Sequence, residues 1–263
     1  MFSQEQMTGK RAFWFVILTF ALNLVTWGLL ALNPGGSLSY ASLPGMVFYA
    51  LGGLSPTIIT FVLVKIWGKT KEEKAYFKPI FRTACGWKAT VCVTLLFCAV
   101  FFVIALFLME RIEPWYMLAA AFPISIVGGG LEEIGWRGFL QPALEKKMPF
   151  WLAAPVVGMI WGAWHIPLWF IPGMSQGEVN FISYLLFVIL GSFILASLRQ
   201  LTNSVAACIC FHAWINVIFL VFSAIPILNG DTFLLFMGLL AGFAVAATAA
   251  AYIHKKRGHK PLR

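Results

Sequence analysis

The chain has 263 residues, of which 60% are hydrophobic and only 11% are charged, and its mean hydropathy is +0.86. A composition this apolar exceeds what a soluble domain can bury in one core, so it excludes a soluble globular protein. The formal net charge of +9 does not indicate a nucleic-acid partner, because the basic residues lie in short connectors and in the C-terminal tail.

Charge-poor runs of about 20 residues follow one another along the chain, and each is long enough to cross a hydrocarbon core of roughly 30 Å. The eight runs are residues 12–32, 43–64, 89–109, 114–131, 150–171, 179–198, 201–228 and 232–253. Helix is expected in each, because lipid cannot satisfy an open backbone. The sequence therefore predicts an all-α, polytopic membrane protein with eight transmembrane helices, in which residues 1–263 form a single membrane domain.

Basic residues in the connectors predict the orientation, because Lys and Arg are retained on the cytoplasmic side. The loop of residues 65–88 holds seven of them. If that loop is cytoplasmic, an even number of spans places both termini there too, and Lys146 and Arg199 then fall inside as well. We therefore expect both termini in the cytoplasm. The expected location is a bacterial plasma membrane, with membrane lipid around the protein.

Ionisable side chains inside a span cost about 2.5 to 3.5 kcal/mol each to insert, so they indicate a functional site. The fourth span must extend past its apolar run, because the next boundary is at Glu145, Lys146 and Lys147, so it carries Glu132, Glu133 and Arg137. His165 lies in the fifth run and His212 in the seventh. Glu133 and Arg137 are four residues apart with the acid first, which predicts a structural ion pair on one helical face. Glu132 projects about 100° further round that helix, so it is left available for chemistry.

His212 and Asn216 are also four residues apart, so the imidazole and the carboxamide project from one face of the seventh helix. At a rise of about 1.5 Å per residue, these two groups, Glu132 and His165 all lie roughly 16 to 22 Å from the presumed cytoplasmic boundary. We therefore expect one shared site, in an intramembrane cavity. Close approach of the fourth and fifth helices is predicted from glycines at positions 128, 129, 130, 135, 138, 158 and 162.

Short motifs on these helices resemble those of a known family of membrane endopeptidases. Glu132, Glu133 and Arg137 resemble E-E-x-x-x-R, the first motif of the CAAX protease and bacteriocin-processing (CPBP) family, which includes the type II CAAX prenyl endopeptidases. Trp161 and His165 resemble the second motif, F-x-x-x-H.

The third motif of that family, H-x-x-x-N, resembles His212 and Asn216, and all three motifs occur in the family's order. The similarity is specific over residues 115–220, which we expect to form the catalytic core. Trp161 departs from the usual phenylalanine but keeps an aromatic ring, and we expect Trp161 and Trp136 to line the pocket.

The resemblance implies an intramembrane endopeptidase in which Glu132 acts with His165 to activate a water, while His212 and Asn216 stabilise the oxyanion of the scissile carbonyl. The physical chemistry agrees, because a carboxylate in a low-dielectric site is a stronger base, and each preorganised oxyanion donor is worth about 2.7 to 4 kcal/mol. The expected substrate is a peptide or a membrane-associated protein, and a prenylated C-terminal motif is one candidate.

Alternatives to this mechanism remain open from the sequence. Glu132, His165 and His212 are possible zinc ligands, although the H-E-x-x-H spacing is absent and Asn216 is a poor zinc ligand, so no cofactor is favoured. A membrane transporter could use the same polar groups as a relay, and a catalytically idle immunity protein is a third possibility.

Overall fold

The computed structural model describes residues 4–33, 39, 42–67, 80, 83, 85–230 and 232–257, and it is mostly helical. Most of the loop of residues 65–88 and the end of the basic tail therefore lie outside the described residues. The α-helices are α1 (Gln4–Leu32), α2 (Leu43–Gly53), α3 (Ser55–Trp67), α4 (Trp87–Leu108), α5 (Met117–Ala120), α6 (Phe122–Gly128), α7 (Glu133–Gly135), α8 (Gln141–Glu145), α9 (Phe150–Trp164), α10 (Phe181–Thr202), α11 (Val205–Val221), α12 (Ile225–Asn229) and α13 (Phe233–Lys256). The remaining elements are the 3-10 helices Gly130–Glu132, Ile166–Phe170 and Ser175–Glu178, the π-helical turn Trp136–Leu140, and the two-residue strands β1 (Glu110–Arg111) and β2 (Phe222–Ser223).

Five helical segments within the described ranges are long and apolar enough to cross a membrane. They are Gly9–Leu32, Trp87–Leu108, Phe150–Phe170, Phe181–Thr202 and Phe233–Lys256. A sixth span is obtained if α2 and α3, which meet at a bend of 58°, count as one broken span. These helices agree with an integral membrane protein, whereas the count of eight spans stays a prediction, because α11 has only 17 residues and the fourth run is interrupted.

The fourth apolar run and its extension to Glu145 do not form the continuous helix that the sequence predicts. They are divided into α5, α6, a 3-10 helix, α7, the π-helical turn and α8. The helix is interrupted after α6 at the consecutive glycines Gly129 and Gly130. Glycine favours such a break because its backbone loses more conformational freedom in a helix than that of any other residue. Irregular backbone at membrane depth is tolerated where protein covers it, and a Cβ on Gly130 would lie 2.8 Å from the carbonyl oxygen of Ile209 in α11. The break therefore sets Glu132 in a short, buried turn packed on α11.

Capping residues mark where α10 and α11 begin and where α10 ends. Asn180 caps α10, because its side-chain oxygen accepts hydrogen bonds from the amides of Ile182 and Ser183 at 2.9 and 3.1 Å. The helix ends at Asn203, whose φ of 51° is in the left-handed region that asparagine tolerates. Ser204 then caps α11 by accepting from the amide of Ala207 at 3.2 Å. These caps fix the start of the helix that carries His212.

Glycines allow close helix approach, but between other helices than the sequence predicts. A Cβ on Gly135, in the predicted fourth helix, would lie 2.7 Å from the carbonyl oxygen of Pro56 in α3. A Cβ on Gly158, in the fifth, would lie 2.8 Å from Cα of Ile189 in α10. The predicted role of these two glycines in joining the fourth and fifth helices was wrong, because a small residue indicates close contact without naming the neighbour.

One end of the bundle is joined by contacts between connectors that the sequence assigns to the outer face. Strands β1 and β2 pair Glu110 with Ser223. The backbone amide of Asn180 also donates to the side chain of Asn229 at 2.9 Å. The connectors after α4, before α10 and after α11 therefore lie on the same face.

The opposite end brings together the connectors that carry basic residues. Gln200, near the end of α10, donates to Glu145 at the end of α8 at 2.8 Å. Arg11 of α1 donates to the carbonyl oxygen of Trp67 at 3.2 Å, which ties the N-terminal helix to the start of the loop of residues 65–88. The connectors thus fall into the two groups that the charge pattern predicts, while the cytoplasmic assignment of this face stays a prediction.

That assignment predicts which cysteines an impermeant reagent can reach. In a variant without the native cysteines, Lys88→Cys should stay unlabelled in intact cells and become labelled after permeabilisation. Glu113→Cys, which is exposed in the opposite group of connectors, is the matched control and should be labelled from outside. Labelling of Lys88→Cys in intact cells would reverse the orientation.

Candidate active site

Glu132 is buried, with 5% of its surface exposed, and its carboxylate is held by two tryptophans. The indole Nε1 of Trp161 donates to Oε2 at 2.9 Å, and Nε1 of Trp136 donates to the same oxygen at 3.4 Å. Trp161 comes from α9 and Trp136 from the π-helical turn, so two elements fix one carboxylate oxygen. A π-helical turn beside such a group is typical of functional sites.

Glu133 is completely buried and connects two basic side chains. Arg137 forms an ion pair with it, with Nε 3.1 Å from Oε2, and Nη1 of Arg137 donates a hydrogen bond of 3.2 Å to Oε1. Nδ1 of His212 lies 2.9 Å from the same Oε1. The sequence predicts the Glu133–Arg137 pair, but it gives no sign that Glu133 also orients His212. The two residues are 79 positions apart, and helical periodicity relates only residues on one helix.

His165 stands at the C-terminal end of α9, where a helix leaves carbonyl oxygens without amide partners. Its backbone amide bonds to the carbonyl of Gly162, three residues earlier, at 3.2 Å. Its side-chain Nδ1 donates to the carbonyl oxygen of Trp161 at 2.8 Å. The ring is enclosed by Trp164 and Tyr184, with ring centroids 4.7 and 5.4 Å away. Tyr184 was missed from the sequence, because one aromatic residue in a chain with 16% aromatics gives no signal of its own.

His212 and Asn216 of α11 converge beside Gly129. A Cβ on Gly129 would clash with the amide nitrogen of Asn216 and would lie 3.4 Å from Nε2 of His212. The two nitrogens therefore flank a single point next to the backbone of the fourth run. This convergence follows from their spacing of four residues on one helical face, as the sequence predicts.

The structure brings most of the predicted site residues into one connected group around Trp161. Its ring lies 5.1 Å from the ring of His212 and 5.7 Å from that of His165, measured between centroids. The guanidinium carbon of Arg137 lies 4.9 Å from the indole centroid. The predicted cavity stays a prediction, because Glu132, His165 and His212 are only 5–7% exposed.

A metal site is not formed by these side chains. Within the described ranges, no group of three or more His, Cys, Asp or Glu side chains is arranged to hold a metal ion. The alternative ligands are Glu132, His165 and His212. Oε2 of Glu132 accepts hydrogen bonds from two indole N–H groups.

Comparisons with known proteins agree with the motifs. Residues 112–218, which contain all three motifs, match the model of the Rce1-like type II CAAX prenyl endopeptidases. The chain is also 22% identical to a CAAX prenyl protease 2 of Methanococcus maripaludis over 266 aligned positions, which cover 92% of this chain and 93% of that protein. The family resemblance inferred from the motifs is confirmed by this match of residues 112–218 to the Rce1-like type II CAAX prenyl endopeptidase model.

Proposed function

We propose that this protein is an intramembrane endopeptidase in which a glutamate and a histidine activate a water, and in which a second histidine and an asparagine stabilise the oxyanion. The observation that carries the proposal is the convergence of Nε2 of His212 and the amide of Asn216 on one point beside Gly129. Two donors aimed at one point are what a developing oxyanion requires.

The hydrogen bonds of His165 determine which of its ring nitrogens faces the water. Nδ1 lies 2.8 Å from the carbonyl oxygen of Trp161, which can only accept, so Nδ1 carries the proton. Nε2 is then a lone-pair acceptor. In this tautomer His165 accepts a hydrogen bond from the water and orients it, while Glu132 removes the proton.

His212 has the opposite role because its Nδ1 faces a carboxylate. Nδ1 lies 2.9 Å from Oε1 of Glu133, and a carboxylate oxygen accepts, so Nδ1 is the donor of this hydrogen bond. In the proposed mechanism Nε2 donates to the oxyanion, on the side of Gly129 and Asn216.

The reaction follows from these positions. The water oxygen forms a bond to the scissile carbonyl carbon as its proton passes to Glu132, and the carbonyl electron pair moves onto the oxygen held by His212 and Asn216. Return of that pair breaks the C–N bond, and Glu132 gives the proton to the leaving amine. One water is consumed, yielding one carboxylic acid and one amine.

The substrate class is inferred from the family and from the printed name of the relative. A membrane-associated peptide with a prenylated C-terminal CAAX motif fits both. The test is cleavage of a reporter peptide by the purified protein in proteoliposomes, with the peptide either prenylated or not. We expect cleavage of the prenylated peptide that resists exhaustive chelation. Failure to cleave either peptide would contradict the proposed function, and loss with chelator restored by zinc would replace the water-activation mechanism.

Gly129 offers a test of the proposed oxyanion site. In Gly129→Ala the added methyl group pushes the Asn216 amide away from the point where the oxyanion would form. We expect kcat to fall about 100-fold, since a displacement near 1 Å has that effect on positioned groups. The matched control is Gly128→Ala, whose Cβ meets no atom within 4 Å and which should keep wild-type kcat. Equal activity of the two variants would remove Asn216 from the proposed site.

A further inference from the structure

We propose that Trp161 is a positioning residue that assigns different roles to the two oxygens of Glu132. In this proposal the indole N–H anchors Oε2, and Oε1 is the oxygen that receives the proton from water. The inference rests on the proposed function and extends it to a residue that was expected only to line a pocket.

The first observation is that both protein donors meet the same oxygen. Trp161 donates to Oε2 at 2.9 Å and Trp136 donates to it at 3.4 Å, whereas no residue that the structure describes donates to Oε1. A carboxylate oxygen with two donors has lone pairs engaged, so its partner is the more available base. Because the donors fix Oε2, they also fix the direction in which Oε1 points.

The second observation is that Trp161 is itself immobilised. Only 5% of its surface is exposed to solvent. Arg137 covers its ring at 4.9 Å, and His212 contacts it edge-on with centroids 5.1 Å apart. A rigid donor holds its acceptor in one orientation at low entropic cost, which is the requirement for a positioning group.

The third observation is that Trp161 also orients the partner of Glu132. Its carbonyl oxygen accepts a hydrogen bond from Nδ1 of His165 at 2.8 Å. This oxygen is available because the helix ends there and the backbone amide of His165 donates to the carbonyl of Gly162. One residue therefore directs Oε1 of Glu132 through its side chain and Nε2 of His165 through its backbone. The proton moves from water to Oε1, and later from Oε1 to the leaving amine, while the Oε2 hydrogen bond is kept throughout.

The kinetic test compares Trp161→Phe with Trp136→Phe. Each removes one indole N–H and keeps an aromatic ring. For Trp161→Phe we expect kcat to fall about 10- to 150-fold, the range for a hydrogen bond to a charged group, with KM within about twofold. Trp136→Phe should lose less, because its bond to Oε2 is longer. In a Glu132→Gln background, Trp161→Phe should cause little additional loss.

A spectroscopic test is independent of turnover. The indole N–H proton signal of Trp161, identified by its absence in Trp161→Phe or Trp161→Tyr, should move upfield in Glu132→Gln, where a neutral amide replaces the charged acceptor. An unmoved signal, or Trp161→Phe with wild-type kcat or with a raised KM alone, would overturn the proposal. If wild-type protein hydrolysed no peptide while the signal still moved, the proposed function would fail and the Trp161–Glu132 contact would stand.

Discussion

Replacement of Glu132 by glutamine should lower kcat for peptide hydrolysis about 10²- to 10⁴-fold, the usual contribution of a general base. Glutamine has nearly the same shape and still presents an oxygen to the Trp161 indole, so the fold should be retained. What it lacks is the basicity needed to take a proton from water. The measurement is the initial rate with a reporter peptide in proteoliposomes, alongside the thermal unfolding midpoint.

His165→Ala should have an effect of similar size, because the base and the histidine that orients the water act as a unit. The double variant should then lose little more than either single variant. Glu110→Gln makes the same chemical change at an exposed strand residue and should leave the rate unaltered. Near-normal hydrolysis by purified Glu132→Gln would remove this carboxylate from the mechanism.

Arg137→Ala should destabilise the protein by about 3 to 5 kcal/mol, the usual loss when one partner of a buried ion pair is removed. Both Arg137 and Glu133 are fully buried, and the guanidinium also covers the Trp161 ring. Without Arg137, the buried carboxylate of Glu133 loses its guanidinium partner. We expect a lower yield of folded protein and a lower thermal unfolding midpoint in detergent.

The matched control for this loss is Arg111→Ala, which removes an exposed arginine from the connector after α4. Surface substitutions of this kind change stability by roughly 0.5 kcal/mol or less. Arg137→Lys should be intermediate, since it keeps the charge but loses the two-point geometry. An Arg137→Ala protein that folds like the wild type and is merely inactive would assign Arg137 to the catalytic set.

Much of the candidate site could be predicted because it depends on local spacing. The four-residue interval between Glu133 and Arg137 corresponds to about one helical turn, and the structure has their side chains 3.1 Å apart. The same interval brings His212 and Asn216 to one point. Hydropathy is additive along a chain, so the apolar runs indicate a membrane protein without any knowledge of which helices touch.

The interruption of the fourth run could not be predicted from hydropathy. Residues 114–131 are apolar enough for a helix, but the break after α6 depends on cover provided by α11, which approaches Gly130 through the backbone of Ile209. A break exposed to lipid would leave backbone groups unsatisfied. Whether protein covers it is a property of the packed bundle, so the sequence of this segment alone favours the continuous helix.

The sequence by itself determined the membrane class, the two groups of connectors, and the candidate site residues that the structure brings together, because each follows from composition or from positions within a single helix. Only the tertiary structure decided that Glu133 orients His212 and that Trp161 contacts both Glu132 and His165. Helical periodicity gives the direction of a side chain around its own axis, but not the neighbouring helix that it meets. The hydrogen bonds that distinguish the two oxygens of Glu132 therefore became visible only once the helices were packed together.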